Sequence, residues 1–509
     1  MAFLDKKKNM FFQKNILILG SGLSALSAVN VLKSHKLKRL FLYDPKKSSE
    51  KVRKHLQENI VSRVKLLENK KDLKKIVQSF SCAILSPGIS LKDKISVFLI
   101  ENGIPIISEI ELSLLLLNSK KKIIGITGTN GKSTTTSLLT HVLEVNKKKA
   151  ISTGNFGMPL GMVAKSSHYE YFIVEMSSYQ IETTFEKRFD ATLFLNISDD
   201  HLERYGDIET YFKTKWKLIL LTKSNGFSIL SESVFNMAMS LGLPLPENHL
   251  YIIKDSKDKE TRITNIFKKS NIKAIENLSY LELINLNTFI TSNKSHLSYV
   301  FLDKKKVMLK ITQKGKKEKT LSLKKSPLFG EHNLENLAFA VCTSHFLGLK
   351  NIEKAFSHFK TLAHRFEKIS IKNKKNLCFI NDSKSTNLNS LEVALRSVSK
   401  KVHLLMGGQI KEESFENILS LLKDKVIKIY PFGESAHFIY KNLKQQKYSL
   451  HKPSEKMSQA LLSACIWAKP KDSILFSPGG SSFDEFKNFE HRGQSFVKEL
   501  ERITRENLI

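Results

Sequence analysis

The chain has 509 residues, 41% of them hydrophobic and 26% charged, with a formal net charge of +33. That length predicts two to four domains, and the longest apolar runs, such as Leu114–Leu117, fall far short of the roughly 18 residues a membrane helix needs. No signal-peptide core follows the N-terminal lysines, so a cytoplasmic protein without membrane insertion is expected; the positive charge is mostly lysine spread along the chain, with little of the arginine that base readers favour, so it suits anionic substrates and predicts no nucleic-acid partner.

Strands and helices alternate from the start. Asn15 to Leu19 reads as a strand, followed by a glycine turn and an apolar helix from about Ser24 to Lys33. Leu40 to Tyr43 and Cys82 to Leu85 are the next strands, ending at Asp44 and at Ser86-Pro87-Gly88. Short strands separated by helices predict a parallel, doubly wound sheet. A second α/β unit starts near Lys121, with strands at Ile123–Ile126, Tyr171–Glu175 and Ala191–Asn196 and a helix over Ser133–Val145. From about Pro246 to Lys325 the sequence turns lysine-, asparagine- and serine-rich, and reads as an insertion or a peripheral sheet. Within it Val307–Ile311 and Thr320–Leu323 form a candidate hairpin about Lys314-Gly315-Lys316. A third α/β unit begins near Ala363, with strands at Cys378–Ile380, Val402–Met406, Ile427–Pro431 and Ser473–Phe476. The four cysteines, Cys82, Cys342, Cys378 and Cys465, form no Cys-x-x-Cys pair and sit among apolar residues, which predicts buried free thiols.

The most specific motif is Gly125-Ile-Thr-Gly-Thr-Asn-Gly-Lys-Ser-Thr134, between a buried strand and a helix. Backbone N–H groups from Gly128 to Lys132 can wrap phosphate oxygens at a helix N-terminus, Lys132 neutralises β/γ charge, and the Ser133 hydroxyl suits Mg2+. The usual first glycine is replaced by Ile126, so the loop is a variant. A first turn, Gly20-Ser-Gly-Leu-Ser-Ala25, with Asp44 at the end of the next strand, fits a dinucleotide fingerprint and keeps a nicotinamide oxidoreductase as a rival. A nucleotide-diphosphate handle fits the same turn. A basic nucleic-acid-binding ATPase is the other rival.

Further short motifs follow in order: Gly154-Asn-Phe-Gly-Met-Pro159, Glu175-Met-Ser-Ser-Tyr-Gln180, Asn196-Ile-Ser-Asp-Asp-His-Leu-Glu-Arg-Tyr205, Lys215, Gly330-Glu-His-Asn-Leu-Glu-Asn336, His364-Arg-Phe-Glu367, Asn381-Asp-Ser-Lys-Ser-Thr-Asn387, Gly407-Gly-Gln-Ile-Lys411, and the run from Ser477 to Gly493. Together they resemble the Mur ligases of peptidoglycan synthesis, and within that family the branch that adds D-glutamate, from Gly20 to about Arg492. The resemblance implies an α/β, three-domain Mur ligase architecture. It has a Rossmann-like UDP-substrate-binding domain at 1–118 and a P-loop ATPase-like centre at 119–361, carrying the lysine-rich insertion near 246–325. A Rossmann-like amino-acid-binding domain follows at 362–509.

It further implies ATP-dependent ligation of D-glutamate to UDP-N-acetylmuramoyl-L-alanine through an acyl phosphate, by a monomer using ATP and two Mg2+ ions. The alternative within the class is another Mur-type or folylpolyglutamate-type ligase. By the same resemblance Gly128, Thr129, Asn130, Gly131, Lys132, Ser133, Thr134, Asn333, Asn336, Arg365 and Asp382 bind ATP. Leu23, Ser24, Asp44, Asn155, Ser177 and Gln180 bind the UDP substrate, while Thr386, Lys411, Ser482, Phe483 and Phe489 hold the amino acid. Ser133, Glu175, His201 and Lys215 hold metal, and Lys132, His201, Lys215 and Lys384 serve catalysis. The Lys411 loop departs from the family pattern, with Gln409-Ile410 where Asp-Gly is usual.

Lys215 falls where the family carries a carbamylated lysine. A carbamate turns an amine into an anionic oxygen ligand suited to a hard cation, and Tyr211 and Trp216 offer apolar cover that would lower the lysine pKa. Lys213 and Lys217 flank it, and sequence alone leaves open which of the three, if any, is modified. The chemistry requires a crowd of anions to be neutralised and water to be kept from the acyl phosphate; closure of the third domain over the second is the expected device.

Overall fold

The structure is a computed structural model that describes residues 15–32, 39–45, 47, 64–255, 297–304, 306–311, 319–324, 326, 328, 331–359, 362–410, 414–506 and 508. The chain divides into two compact units, one of Met1–Lys324 with Asn336–Phe356, the other of Lys325–Glu335 with Ser357–Ile509.

The first unit holds two sheets. In the first, β1 (Asn15–Leu19), β2 (Leu40–Tyr43), β3 (Val64–Leu66), β4 (Phe80–Leu85) and β5 (Ile106–Ser108) run parallel in the order β3-β2-β1-β4-β5. The order reverses at β1, whose five residues are all buried, as expected of a strand covered on both faces. The Gly20 turn after β1 and the Ser86-Pro87-Gly88 turn after β4 therefore border one crevice at the carboxyl ends of neighbouring strands, where open α/β sheets bind ligands.

The second sheet has nine strands: β6 (Lys122–Thr127), β7 (Ala150–Gly154), β8 (Tyr171–Glu175), β9 (Phe189–Phe194), β10 (Thr222–Ser231), β11 (His249–Asp255), β12 (Leu297–Asp303), β13 (Met308–Ile311) and β14 (Lys319–Ser322). Their order is β14-β13-β12-β11-β10-β9-β6-β8-β7, parallel except for the β12-β13-β14 edge. The described flanks of the 246–325 stretch are thus strands that continue this sheet; residues 256–296 lie outside the described residues. The expected hairpin pairs antiparallel, although its turn, 312–318, also lies outside them. One core joins the two sheets, running from Ile16, Val29 and Ile110 to Leu160, Phe172 and Phe189.

The second unit carries β15 (Glu367–Ile369), β16 (Cys378–Asn381), β17 (Val402–Gly407), β18 (Val426–Phe432) and β19 (Ser473–Gly479) in the order β15-β16-β19-β17-β18, with only β15 antiparallel. Cys82, Cys342 and Cys465 are buried, as expected, but Cys378 is only partly so, because it opens β16 at the sheet's end. Among the described residues no helix is long and apolar enough to cross a membrane.

Candidate active site

The phosphate loop forms because β6 is a buried run, Ile123 to Thr127, that stops at glycine and restarts as the Lys132–Val145 helix. Gly131 sits at φ +81°, and a side chain there would strike Asn336, so only glycine satisfies both backbone and space. The loop is braced from the segment that follows β9: the Asn130 amide donates to Asn196 Oδ1 at 2.9 Å, Asn196 Nδ2 returns a bond to the Asn130 carbonyl at 3.1 Å, and the Thr129 amide reaches the Asn196 carbonyl at 3.0 Å. Lys132 Nζ donates to the carbonyls of Gly128 and Thr129 at 2.8 and 2.7 Å, so the cation lies over the loop. Thr134 stands in the first turn of the following helix.

At the end of β8 the buried Glu175 carboxylate accepts from Ser133 Oγ at 2.5 Å on one oxygen and from Asn155 Nδ2 at 2.8 Å on the other. Three sequence motifs thus meet on one carboxylate. Among the described residues no group of three or more His, Cys, Asp or Glu is placed to hold a metal. One carboxylate and one hydroxyl is nonetheless the oxygen-only set that magnesium uses when phosphates and water complete its shell, so the residues fit that ion.

His201 takes φ +56° at the N-terminus of the Leu202–Tyr205 turn, and its Nδ1 is 2.9 Å from the Tyr179 hydroxyl. Burial lowers its pKa, against Asp200 and Glu203, which raise it; the neutral imidazole this favours is the form that binds metal. Of the three neighbouring lysines, Lys213 pairs with Glu209 on the exposed face of the Ile208–Leu220 helix, and Lys217 donates to the Glu182 carbonyl at 2.9 Å and covers the Phe185 ring. Lys215 alone of the three is buried: its Nζ donates to the Gly128 carbonyl at 2.9 Å and lies 4.7 Å from the Tyr211 ring centre. Burial first, then the nearby Lys132 cation, hold its pKa well below the ordinary lysine value.

Ser177 and Gln180 form a capping box on the Ser178–Glu182 helix, which commits part of their hydrogen bonding to the backbone. Asn336 lies beside the loop, 3.5 Å from Thr135 Oγ1, and Asn333 is buried in the same Glu331–Phe346 helix. At the first turn Leu23 is exposed, Ser24 is half-buried, and Asp44 accepts from Ser21 Oγ at 2.6 Å.

In the second unit, Arg365 lies between His364 and Phe366, both at positive φ, a strained pair of a kind that clusters at functional sites. Asp382, at the end of β16, accepts from the Phe366 amide at 3.1 Å and from Ser477 Oγ at 2.8 Å; burial pushes its pKa up to about 7, against Arg365 and Arg492. Lys384 Nζ lies 4.1 Å from the Phe489 ring centre, which brings together two of the expected residues. Ser482 is buried, Phe483 is exposed, and Thr386 is half-buried before the Leu388–Ser397 helix. Lys411 lies outside the described residues.

Two further residues of these motifs have structural roles that their spacing in the sequence does not signal. Tyr179, which orients His201, lies one residue before Gln180. Arg492 is wholly buried: it donates to Ser383 Oγ at 3.1 Å and to the carbonyls of Gly480, Ser481 and Ser383 at 2.9, 3.2 and 2.8 Å. It therefore ties the loops after β16 and β19. Burial lowers its pKa to about 10, which still leaves it charged at neutral pH. Arg492→Lys is expected to lower the urea unfolding midpoint, since lysine lacks the planar fork and each carbonyl left unmet costs roughly 1–3 kcal/mol. A midpoint equal to the parent's would show that the fork is not needed.

Residues 126–344 match the Mur ligase middle domain and residues 364–480 the Mur ligase glutamate ligase domain. The chain is 31% identical to a UDP-N-acetylmuramoylalanine--D-glutamate ligase of Elusimicrobium minutum over 503 residues, covering 96% of this chain and 98% of the relative. It is 31% identical to the enzyme of the same name from Buchnera aphidicola subsp. Acyrthosiphon pisum, covering 97% and 99%. Its fold is similar to the crystal structure of UDP-N-acetylmuramate-alanine ligase from Thermotoga maritima, with a TM-score of 0.52 at 16% identity over 96% of this chain and 100% of the other. The variant phosphate loop, its Glu175 partner and the full-length match agree: the chain belongs to the Mur ligase family.

Proposed function

We propose that this protein joins D-glutamate to the carboxylate of UDP-N-acetylmuramoyl-L-alanine, using ATP, as a cytoplasmic monomer in peptidoglycan precursor synthesis. The observation that carries the chemistry is the meeting of Ser133, Asn155 and Glu175 beside the Gly128–Lys132 loop, with the Lys215 amine buried against that loop. The full-length likeness to named D-glutamate ligases supports the choice of substrates.

In this reading the loop amides and Lys132 hold the triphosphate. The substrate carboxylate attacks the γ-phosphorus, the bond to the β–γ bridging oxygen breaks, and ADP leaves. The D-glutamate amine then attacks the acyl carbon; phosphate departs with the electron pair of the carbon–oxygen bond, and the ammonium proton passes to a base. Magnesium, when bound, supplies charge neutralisation on the phosphate oxygens, with Ser133 and Glu175 as its holders and His201 with Lys215 as the pair proposed for a second ion. CO2 adds to the neutral Lys215 amine, forming a nitrogen–carbon bond and releasing one proton. Arg365 and Asp382 are assigned to the nucleotide, as are Asn333 and Asn336. The exposed Leu23 and the Gly20 turn take the UDP end, in preference to a dinucleotide.

Thr386, Ser482, Phe483 and Phe489 are assigned to D-glutamate together with Lys411, because a side-chain carboxylate calls for a cation and hydroxyl donors, and Lys384 is assigned to catalysis at the reacting centre. Ser482→Ala combined with Lys411→Ala is expected to raise the D-glutamate KM about tenfold or more, as for a lost charge-assisted hydrogen bond, with the ATP KM little changed. Equal movement of both constants would place the amino acid elsewhere.

A further inference from the structure

Glu109 is the first residue of the Glu109–Leu116 helix, which follows β5 in the first sheet. It is buried, and one of its oxygens, Oε1, accepts three hydrogen bonds: from Ser27 Oγ at 2.6 Å, from the Gly161 amide at 2.6 Å, and from Ser113 Oγ at 3.2 Å. Ser27 belongs to the Leu23–Leu32 helix, which begins in the Gly20 turn. Gly161 belongs to the Leu160–Val163 helix of the central sheet, which begins directly after the Asn155–Pro159 loop. The same two segments are tied again by Asn30 Nδ2 donating to the Gly161 carbonyl at 3.3 Å and by Lys165 Nζ donating to the Val31 carbonyl. A Cβ at Gly161 would lie 2.7 Å from Ser27 Oγ and 2.9 Å from Glu109 Oε1, so the close approach needs glycine.

This polar node sits within the apolar core shared by the two sheets. An apolar side chain of similar size would avoid burying a carboxyl group but would leave Ser27, Ser113 and the Gly161 amide without this acceptor, so a change in stability does not separate a positioning role from a structural one, and substrate constants must. What the carboxylate adds is direction. It accepts from the helix of the first turn and from the segment that carries Asn155, and it fixes their register. Asn155 in turn donates to Glu175 at 2.8 Å.

We propose that Glu109 is a positioning residue that makes the Gly20-turn helix and the Asn155–Pro159 loop one body, so that seating the UDP-linked substrate and aligning Glu175 are coupled. This rests on the UDP reading of the Gly20 turn. The neighbouring Glu111 supplies the comparison: it is also buried and also spans the two sheets, but it accepts from the amides of Phe185 and Glu186 at 2.8 and 3.0 Å, away from the Asn155 loop.

The test is steady-state kinetics of the full chain with Glu109→Met, Glu109→Gln, Ser27→Ala and Glu111→Met, alongside thermal midpoints. Glu109→Met is expected to raise the KM for UDP-N-acetylmuramoyl-L-alanine about tenfold and to lower kcat, with the ATP KM within about twofold. Glu109→Gln, which keeps the Oε1 acceptor, is expected to stay near the parent. Ser27→Ala repeats the shift of the Met variant at smaller size, and so covers the case in which that variant fails to fold. Glu111→Met, which removes the acceptor for the Phe185 and Glu186 amides, lowers the midpoint without moving the UDP-substrate KM. The proposal is overturned if Glu109→Met and Ser27→Ala leave that KM unchanged, if all KM values move together with the midpoint, or if Glu109→Gln is as damaging as Glu109→Met. A parent enzyme that shows no saturable use of the UDP substrate would defeat the UDP reading itself, before any variant is compared.

Discussion

Lys132→Ala is expected to abolish ligation while leaving the fold intact. The Lys132 ammonium is held over the loop by the Gly128 and Thr129 carbonyls, at the place where the transferred phosphates gather negative charge. An ammonium fixed there before the reaction needs no reorganisation as charge moves from the γ-phosphoryl group to the leaving ADP. Its removal should lower kcat by about 10^3-fold, the scale on which preorganised charge-stabilising groups act. The loop keeps its bracing from Asn196, so far-UV circular dichroism and the thermal midpoint should stay close to the parent. Activity within a few-fold of the parent at saturating ATP would remove Lys132 from the reaction.

Lys215→Ala should be nearly as damaging, and its loss should be partly reversed by acetate. Burial and the Lys132 cation favour the neutral amine, and only that form adds CO2. The alanine variant leaves a space beside the Gly128 carbonyl where a small carboxylate can stand in for the carbamate oxygens. A fall of about 10^2-fold or more in kcat is expected, as for the loss of one preorganised charged group, with a several-fold recovery in acetate that chloride at equal ionic strength does not give. Lys213→Ala is expected to be near-neutral, because its partner Glu209 is on the exposed face. Full activity in Lys215→Ala, or loss in Lys213→Ala instead, would move the assignment.

The phosphate loop and the strand ends were legible in the sequence because they depend on local pattern. Buried runs such as Asn15–Leu19, Leu40–Tyr43 and Tyr171–Glu175 stand in the structure with the expected bounds, since each is a short apolar run bounded by turn or polar residues. Bounds were less legible where polar residues join a strand. Asn381 extends β16 because it pairs with Glu367, and β4 runs back through Ser81 to Phe80, which pairs with Asn15 across an irregularity in the register. The lysine-rich stretch was opaque for a similar reason: β11 pairs in parallel with β10 and β12, and a parallel pairing needs a crossover that no local turn signal announces, so membership of the central sheet is not a local property.

Within the site, the residue types were readable and their partners were not. Glu175, Ser133 and Asn155 belong to three separate motifs, and only the fold puts them on one carboxylate. Lys215 could not be chosen over Lys213 and Lys217 by spacing, since all three share one helix; burial separates them. Arg492 and Glu109 were hidden because a charged residue in sequence gives no sign that it is wholly enclosed, and each proves to hold two loops or helices together.

The most direct measurement is the substrate dependence of ADP release by the purified chain. ADP is expected to appear at a sustained rate only when UDP-N-acetylmuramoyl-L-alanine and D-glutamate are both present with ATP and magnesium, and one D-glutamate is expected to enter the UDP-linked product for each ADP formed. Sustained ADP release with nucleic acid in place of these substrates, turnover of a nicotinamide cofactor, or ligation of a different amino acid in preference to D-glutamate would contradict this assignment.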